Sequence, residues 1–269
     1  MRVNRSEQAM ILTVIIENSK MYIGAAEPDT GHVVFENSIS SDLRKTTTEY
    51  VLIIRQILDL QGLQQGAIEG CVLCSCVPQL TDVIRRALST LIHREIMEVA
   101  PGLKTGVNIR TDDPSELGAD LITAAAAGIT HYGAPLIIVN FGTTTTISFI
   151  DEHKAFRGCT IAPGVRLSLE SLAGNTAFLP DVAAHRPQQL IGTNTADSMQ
   201  SGVIIGMASM IDGMIDRIRE ETELDAEVVA AGEYAGLVIP YCRHMIMTDE
   251  HLLMKGLMAI YKRNRRRAQ

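Results

Sequence analysis

The segment Val139-Asn-Phe-Gly-Thr-Thr-Thr-Thr146 runs from an apolar stretch into a glycine and four consecutive hydroxyl residues, and then resumes as an apolar stretch. A turn of that composition offers backbone N–H groups and hydroxyls to a phosphate. It reads equally as a tight hairpin whose threonines favour β structure. In a second segment, Asp113-Pro-Ser-Glu-Leu-Gly-Ala-Asp120, the last residue lies on an alanine-rich helix where an acid has no packing role. Asp120 is therefore either a general base or a solvent-facing helix residue. Three polar, glycine-bearing loops each adjoin a helix: Ala162-Pro-Gly-Val165, Gly174 to Pro180 and Ile191 to Gly202. Each alone is a cap or turn, but together they are more loop chemistry than a scaffold requires. Neither Gly-x-x-x-x-Gly-Lys-Ser/Thr nor Gly-x-Gly-x-x-Gly occurs, so those two routes to a nucleotide are unsupported.

Cys71, Cys74 and Cys76 invite a zinc or redox reading. A structural zinc site needs a second ligand pair, and Cys159 and Cys242 are isolated. Gly70 to Pro78 instead alternates like a buried strand ending at a proline, in which free cysteine acts as a small hydrophobe.

The elements that must position these residues follow from periodicity. Ile11 to Ile16, Lys20 to Ala26 and His32 to Glu36 read as a three-strand meander. A helix over Thr46 to Leu60 carries Tyr50, Ile53, Ile54, Ile57 and Leu58 at helical spacing behind a capping threonine run. The cysteine strand, a helix from Gln79 to His93 and a strand over Ile96 to Val99 complete this half. Residues 101 to 118 are rich in Gly, Pro, Asp and Thr and mark a boundary. Beyond it come a helix over Ser115 to His131, strands over Pro135 to Asn140, Thr144 to Asp151 and Ala155 to Thr160, then a helix over Val165 to Leu172. A long helix over Thr195 to Glu221, a strand over Ala226 to Ala231 and a helix over Asp249 to Lys262 end the pattern. The repetition predicts a duplicated α/β fold, with halves at 10–114 and 115–262 and a ligand cleft between them.

With 269 residues, 46% of them hydrophobic and 20% charged, the chain can bury a substantial core, which excludes disorder and small disulfide scaffolds. Its 24 Lys and Arg against 31 Asp and Glu give a net charge of −7, which provides no electrostatic footprint for nucleic acid. The basic run at 263–269 reads as a solvated, frayed tail. No stretch approaches the roughly 18 apolar residues of a spanning helix. Residues 1–9 are polar, lack a signal peptide's apolar core and read as a disordered extension. These features and the odd cysteine count predict a cytoplasmic protein that binds no membrane.

The ordered segments resemble the type III pantothenate kinases of the acetate kinase, sugar kinase, Hsp70 and actin superfamily. The resemblance spans the chain from Met10 onward. It rests on Lys104-Thr-Gly106, Gly118-Ala-Asp120, Phe141-Gly-Thr-Thr-Thr-Thr146, Ile161-Ala-Pro-Gly164, Thr176-Ala-x-Leu-Pro180, Ile191-Gly-x-Asn-Thr195, Met199-Gln-Ser-Gly202 and Gly256-Leu-x-x-Ile-Tyr-x-Arg-Asn264, all in family order. It implies a duplicated actin-like, ribonuclease H-like fold and ATP-dependent phosphorylation of pantothenate, opening coenzyme A synthesis. It also implies Mg²⁺, a monovalent cation such as K⁺ or NH₄⁺, and a homodimer sharing its substrate pocket. By the same resemblance Asp120 is the base, Gly142, Thr143, Thr144, Thr145 and Thr146 form the second phosphate loop, and Gly232 lies on the adenosine side. Lys104, Gly118 and Thr176 bind substrate, Thr176 in the neighbouring subunit's pocket.

The sequence departs from the family at specific points. The first phosphate loop, Asp-x-Gly-Asn-Thr-Asn in the family, is Ile15-Ile16-Glu17-Asn18-Ser19-Lys20. Asn18 and Ser19 survive, and Lys20 is a candidate phosphate-binding cation. The aspartate opening the second loop is Asn140, the arginine after the base is Leu121, and Glu233 replaces one glycine of a pair beside Gly232. Losing carboxylates at 15 and 140 removes expected metal support. Three expectations follow: a kinase active alone or with an intact paralogue as heterodimer partner, a non-catalytic regulatory or scaffolding subunit, and a kinase for a less anionic hydroxyl substrate.

Overall fold

The computed structural model describes residues 9–265. The polar extension, apart from Ala9, and residues 266–269 of the basic run lie outside the described residues.

The described residues divide into two units, the first made of 9–107, 113–130 and 251–265, the second of 108–112 and 131–250. The first unit opens with strands β1 (Met10–Ile16), β2 (Lys20–Ala26) and β3 (Val33–Ser40), followed by α1 (Thr47–Leu60), β4 (Ile68–Ser75), α2 (Pro78–Ile92) and β5 (Ile96–Glu98). The sheet order is β3-β2-β1-β4-β5, with β1–β2 and β2–β3 antiparallel and β1–β4 and β4–β5 parallel.

Every residue of β1 is buried, because both faces of the sheet are covered. Met10, Leu12, Val14 and Ile16 pack in one cluster with Tyr50, Ile54 and Leu58 of α1 and Leu80, Ile84 and Leu88 of α2. Ile11 and Ile15 pack on the other face with Met254, Leu257 and Tyr261. The two-residue period of the strand thus divides one apolar run between two cores. Thr46 and Glu49 form the capping box of α1, as the threonine run predicts.

The second unit contains β6 (Asn108–Ile109), β7 (Leu136–Phe141), β8 (Thr144–Ile150), β9 (Ala155–Pro163), α4 (Val165–Gly174), α5 (Thr195–Thr222), β10 (Glu227–Ala231), α6 (Ala235–Val238) and β11 (Met247–Thr248). Its order, β11-β10-β7-β8-β9-β6, repeats the first sheet with β6 added at the edge beside β9. The duplicated ribonuclease H-like topology is therefore present.

The sequence division at 114/115 does not match these units. Helices α3 (Ala119–His131) and α7 (Leu252–Arg265) pack almost wholly with the first. The physical reason is the second face of β1 and β4, whose Ile11, Ile15, Val72 and Cys74 are covered by Ala126 of α3 and Met254, Leu257, Met258, Ile260 and Tyr261 of α7. Gly256 lets α7 lie against the Thr123 carbonyl of α3, in space that any side chain would fill. Periodicity identifies helices but not the sheet they cover. The described part of the basic run is also helical: α7 extends to Arg265, Lys262 Nζ donates to the Asp29 carbonyl at 2.6 Å, and Arg265 pairs with Glu69 at 3.2 Å. Cations in a last helical turn are favoured by the unsatisfied carbonyls there. No helix is long and apolar enough to cross a membrane among the described residues.

Candidate active site

In the first unit, the parallel strands β1 and β4 end together: Ile15 pairs with Cys74, Ile16 with Ser75, and the Cys76 N–H donates to the Ile16 carbonyl at 2.8 Å. The carboxyl edge of parallel strands is where α/β sheets collect ligands. Residues 17–19 turn the chain there. Glu17 N–H donates to the Lys20 carbonyl at 2.9 Å, Ser41 Oγ donates to the Glu17 carbonyl at 2.7 Å, and Ser41 N–H donates to the Ser19 carbonyl at 3.0 Å. The turn thus has a fixed main chain with Asn18 exposed, while Lys20 opens β2.

Asp120 reaches the same edge from α3. It sits in the first helical turn, half-buried, with its carboxylate folded back over Gly118, where a Cβ would collide with Oδ1. A helix N-terminus favours an ionised carboxylate. The neighbouring Cys74 thiol, burial and the Asp120 charge push the Cys76 thiol well above the ordinary thiol range.

Ile15 is buried among apolar neighbours, Leu121 is buried, and neither offers a ligand atom. Lys104 is exposed, and its main chain is held by α7: its N–H donates to Asn264 Oδ1 at 3.3 Å and its carbonyl accepts from Asn264 Nδ2 at 3.0 Å. Gly106, at φ +79°, makes room for the Arg263 guanidinium. The Lys104–Gly106 segment is thus tied to α7 rather than to α3.

In the second unit, three glycines meet at one turn. Gly142 and Thr143 connect β7 to β8, with Gly142 N–H donating to the Thr144 carbonyl at 3.0 Å. Gly164, which starts α4, donates its N–H to the Thr143 carbonyl at 3.0 Å and lies so close that a Cβ would stand 2.5 Å from that oxygen. Gly232, at φ +97° past the end of β10, lies against the Phe141 main chain. Since β7 and β10 are parallel, this is the corresponding edge of the second sheet.

The four threonines separate across the strand. Thr145 is buried and its hydroxyl donates to Met207 Sδ of α5 at 3.4 Å, so it faces the core rather than a ligand. Thr144 is exposed. Thr146 lies opposite Asn140 in the β7–β8 register, and both are buried with Thr146 Oγ1 and Asn140 Oδ1 lacking a hydrogen-bond partner. Buried polar oxygens of this kind call for an outside partner. Glu233, beside Gly232, is exposed.

Thr176 lies past the end of α4, exposed, with its hydroxyl donating to the Leu172 carbonyl at 2.8 Å. Around this part of the second unit Phe178 and Ile191 are exposed, at 94% and 81%, and Ile161 and Leu190 at 67% each.

The carboxylates expected of a protein-held Mg²⁺ do not fit: position 15 is a buried isoleucine and position 140 a neutral amide. Among the described residues no group of three or more His, Cys, Asp or Glu is placed to hold a metal, the cysteines of β4 included. All five cysteines are free.

A sequence profile of the family described as "Type III pantothenate kinase" matches residues 11–217. The chain is 38% identical over 255 residues to the type III pantothenate kinase of Halalkalibacterium halodurans, covering 95% of this chain and 100% of that one. It is 36% identical over 255 residues to that of Bacillus cytotoxicus, covering 95% and 97%. Among solved structures, a conserved Baf family transcriptional activator from Campylobacter jejuni is similar at a TM-score of 0.58 and 16% identity, covering 95% of this chain and 99% of that one. The ethanolamine utilization protein EutJ from Carboxydothermus hydrogenoformans is similar at 0.54 and 15%, covering 96% and 91%. The structural likenesses bear on the fold alone.

Proposed function

The chain belongs to the type III pantothenate kinase family, and from that premise we propose that it transfers the γ-phosphoryl group of ATP to the hydroxyl of pantothenate, opening coenzyme A synthesis. The observation that carries this reading is the position of Asp120 in the first turn of α3, at the carboxyl edge of β1 and β4. Phosphoryl transfer needs little covalent help from the protein. It needs a group to accept the hydroxyl proton as the phosphorus–oxygen bond forms, and donors for the phosphate oxygens. Asp120 supplies the first. In the first unit Asn18, Ser19 and Lys20 are donors of this kind; the second unit, taken by itself, offers donors at Gly142, Thr143, Thr144 and Thr146, with Gly232 keeping main chain free of a side chain beside that turn.

Mg²⁺, which ATP brings with it, neutralises phosphate charge. Asn140 offers only a neutral oxygen toward that ion or toward K⁺ or NH₄⁺. Leu121 gives the pantothenate carboxylate no bidentate partner, so weak substrate affinity is expected. Thr176 and the exposed Phe178, Leu190 and Ile191 support a dimer formed through this face, with Thr176 lent to the neighbouring pocket.

The test is phosphopantothenate formation by the purified chain with ATP, Mg²⁺ and K⁺ or NH₄⁺, beside Asp120→Asn. Wild-type turnover is expected, with a fall on the order of 10²–10⁴ in the variant. Wild-type activity no greater than that of Asp120→Asn would sink the proposal.

A further inference from the structure

We infer that Lys104 and Arg263 form a binding pocket for a phosphate-type dianion on the first unit. Leu103, Lys104, Thr105, Gly106 and Val107 line a concavity of about 490 Å³ together with Arg263 of α7. That volume lies in the range of small-ligand pockets. All six residues belong to the first unit, and no Asp or Glu is among them.

The last turn of α7 carries Lys262, Arg263 and Arg265. Two of these cations have protein acceptors: Lys262 Nζ donates to the Asp29 carbonyl at 2.6 Å, and Arg265 pairs with Glu69 at 3.2 Å. Arg263 has no acidic partner among the described residues, and neither has Lys104.

A free surface cation ordinarily sweeps through many rotamers, which an anion would have to freeze. Here the structure has done part of that ordering. The Arg263 guanidinium lies against Gly106, in the space a side chain at 106 would take, and the φ of +79° there suits glycine. Asn264, the next residue of the helix, holds the Lys104 main chain on both sides. Its Oδ1 accepts from the Lys104 N–H at 3.3 Å and its Nδ2 donates to the Lys104 carbonyl at 3.0 Å. One helical turn thus presents the guanidinium and fixes the segment that carries the ammonium. Thr105 Oγ1 accepts from the Val107 N–H at 3.2 Å, which leaves its hydroxyl proton to donate.

The charge count selects the ligand. A guanidinium fork and a compact ammonium, with a hydroxyl donor beside them, match the near-double charge and three oxygens of a phosphate. A carboxylate has one charge and two oxygens, which Arg263 alone would satisfy. The carbonyls that end α7 oppose an anion, and Lys262 and Arg265 offset them. The pocket does not depend on the kinase reading, because binding is measured without turnover.

Inorganic phosphate is titrated into the purified chain at constant ionic strength set with chloride, and its phosphorus NMR signal is followed. Wild type is expected to bind saturably, with Lys104→Met and Arg263→Gln each about tenfold weaker, the worth of one charge-assisted hydrogen bond. Lys104→Arg keeps the charge, and Arg55→Gln removes an exposed cation of α1; both are expected to bind as wild type does. Melting temperatures in chloride establish that each variant is folded. Equal affinity in wild type, Lys104→Met and Arg263→Gln overturns the inference, since phosphate is then held elsewhere. An equal loss in Arg55→Gln also overturns it, because the attraction is then the diffuse field of the surface.

Two further titrations identify the source of the phosphate. Phosphopantothenate binding more tightly than inorganic phosphate, with a loss in both variants, assigns the pocket to an organic phosphate ester. Equal affinities assign it to free phosphate, and either result upholds the dianion. Pantothenate carries a carboxylate and no phosphate, and is expected to leave the Lys104-dependent phosphate in place. Its displacement by pantothenate overturns the inference and makes the pair a reader of carboxylates.

Discussion

Gly232 lies against the main chain of Phe141: a Cβ at position 232 would stand 2.5 Å from the Phe141 carbonyl oxygen and 2.8 Å from its nitrogen. Phe141 ends β7 and Gly232 follows the end of the parallel strand β10, so this contact sets the separation of two loops at the edge of the second sheet. Gly232 also has φ +97°, which an L side chain rarely adopts. The obstacle is backbone, which cannot swing aside. Gly232→Ala is therefore expected to cost on the order of 1–3 kcal/mol in urea unfolding. It is also expected to weaken ATP binding more than tenfold in a nucleotide titration. Unchanged ATP affinity would remove the Gly142–Thr143 turn from the nucleotide site.

Gly118→Ala presents the opposite case. The atom a new Cβ would strike is Asp120 Oδ1, the free end of a side chain, and Gly118 has no left-handed φ to lose. The carboxylate should rotate away at little cost in stability. A base displaced by about 1 Å loses rate on the order of 10²-fold, so kcat is expected to drop by about 10–100-fold while the melting temperature holds. A variant with full kcat would show that this carboxylate orientation has no part in turnover.

Tyr132 and Asp249 make a pH-dependent pair within the second unit. The phenol donates to Asp249 Oδ2 at 2.8 Å, and burial together with that bond pushes its pKa up to about 12. A raised folded-state value means that the protonated phenol stabilises the fold fully below pH 10, near the unfolded value, and that this contribution is lost as pH rises toward 12. Tyr132→Phe should thus lower unfolding free energy by about 1–2 kcal/mol at pH 8. The difference from wild type should narrow above pH 10, as urea titrations at the two values would show. A difference constant with pH would assign the effect to packing.

Much of this protein was legible in its residues. The apolar runs of β1, β4, β7 and β10, the capping threonine before α1 and the restart of the pattern after residue 118 come from local rules. Apolar period, cap chemistry and turn composition act over a few residues. The motif order likewise placed the chain in its family and singled out Asp120 and the Gly142 turn.

Tertiary structure decided the rest. It put α3 and α7 on the first sheet, because Ile11 and Ile15 need a cover that periodicity cannot name. It turned Thr145 into the core and left Thr146 and Asn140 facing each other without partners, since strand register alternates the face of each residue. Local composition fixes which elements form, whereas which side chains meet depends on contacts between residues far apart in sequence, formed only when buried faces find their covers.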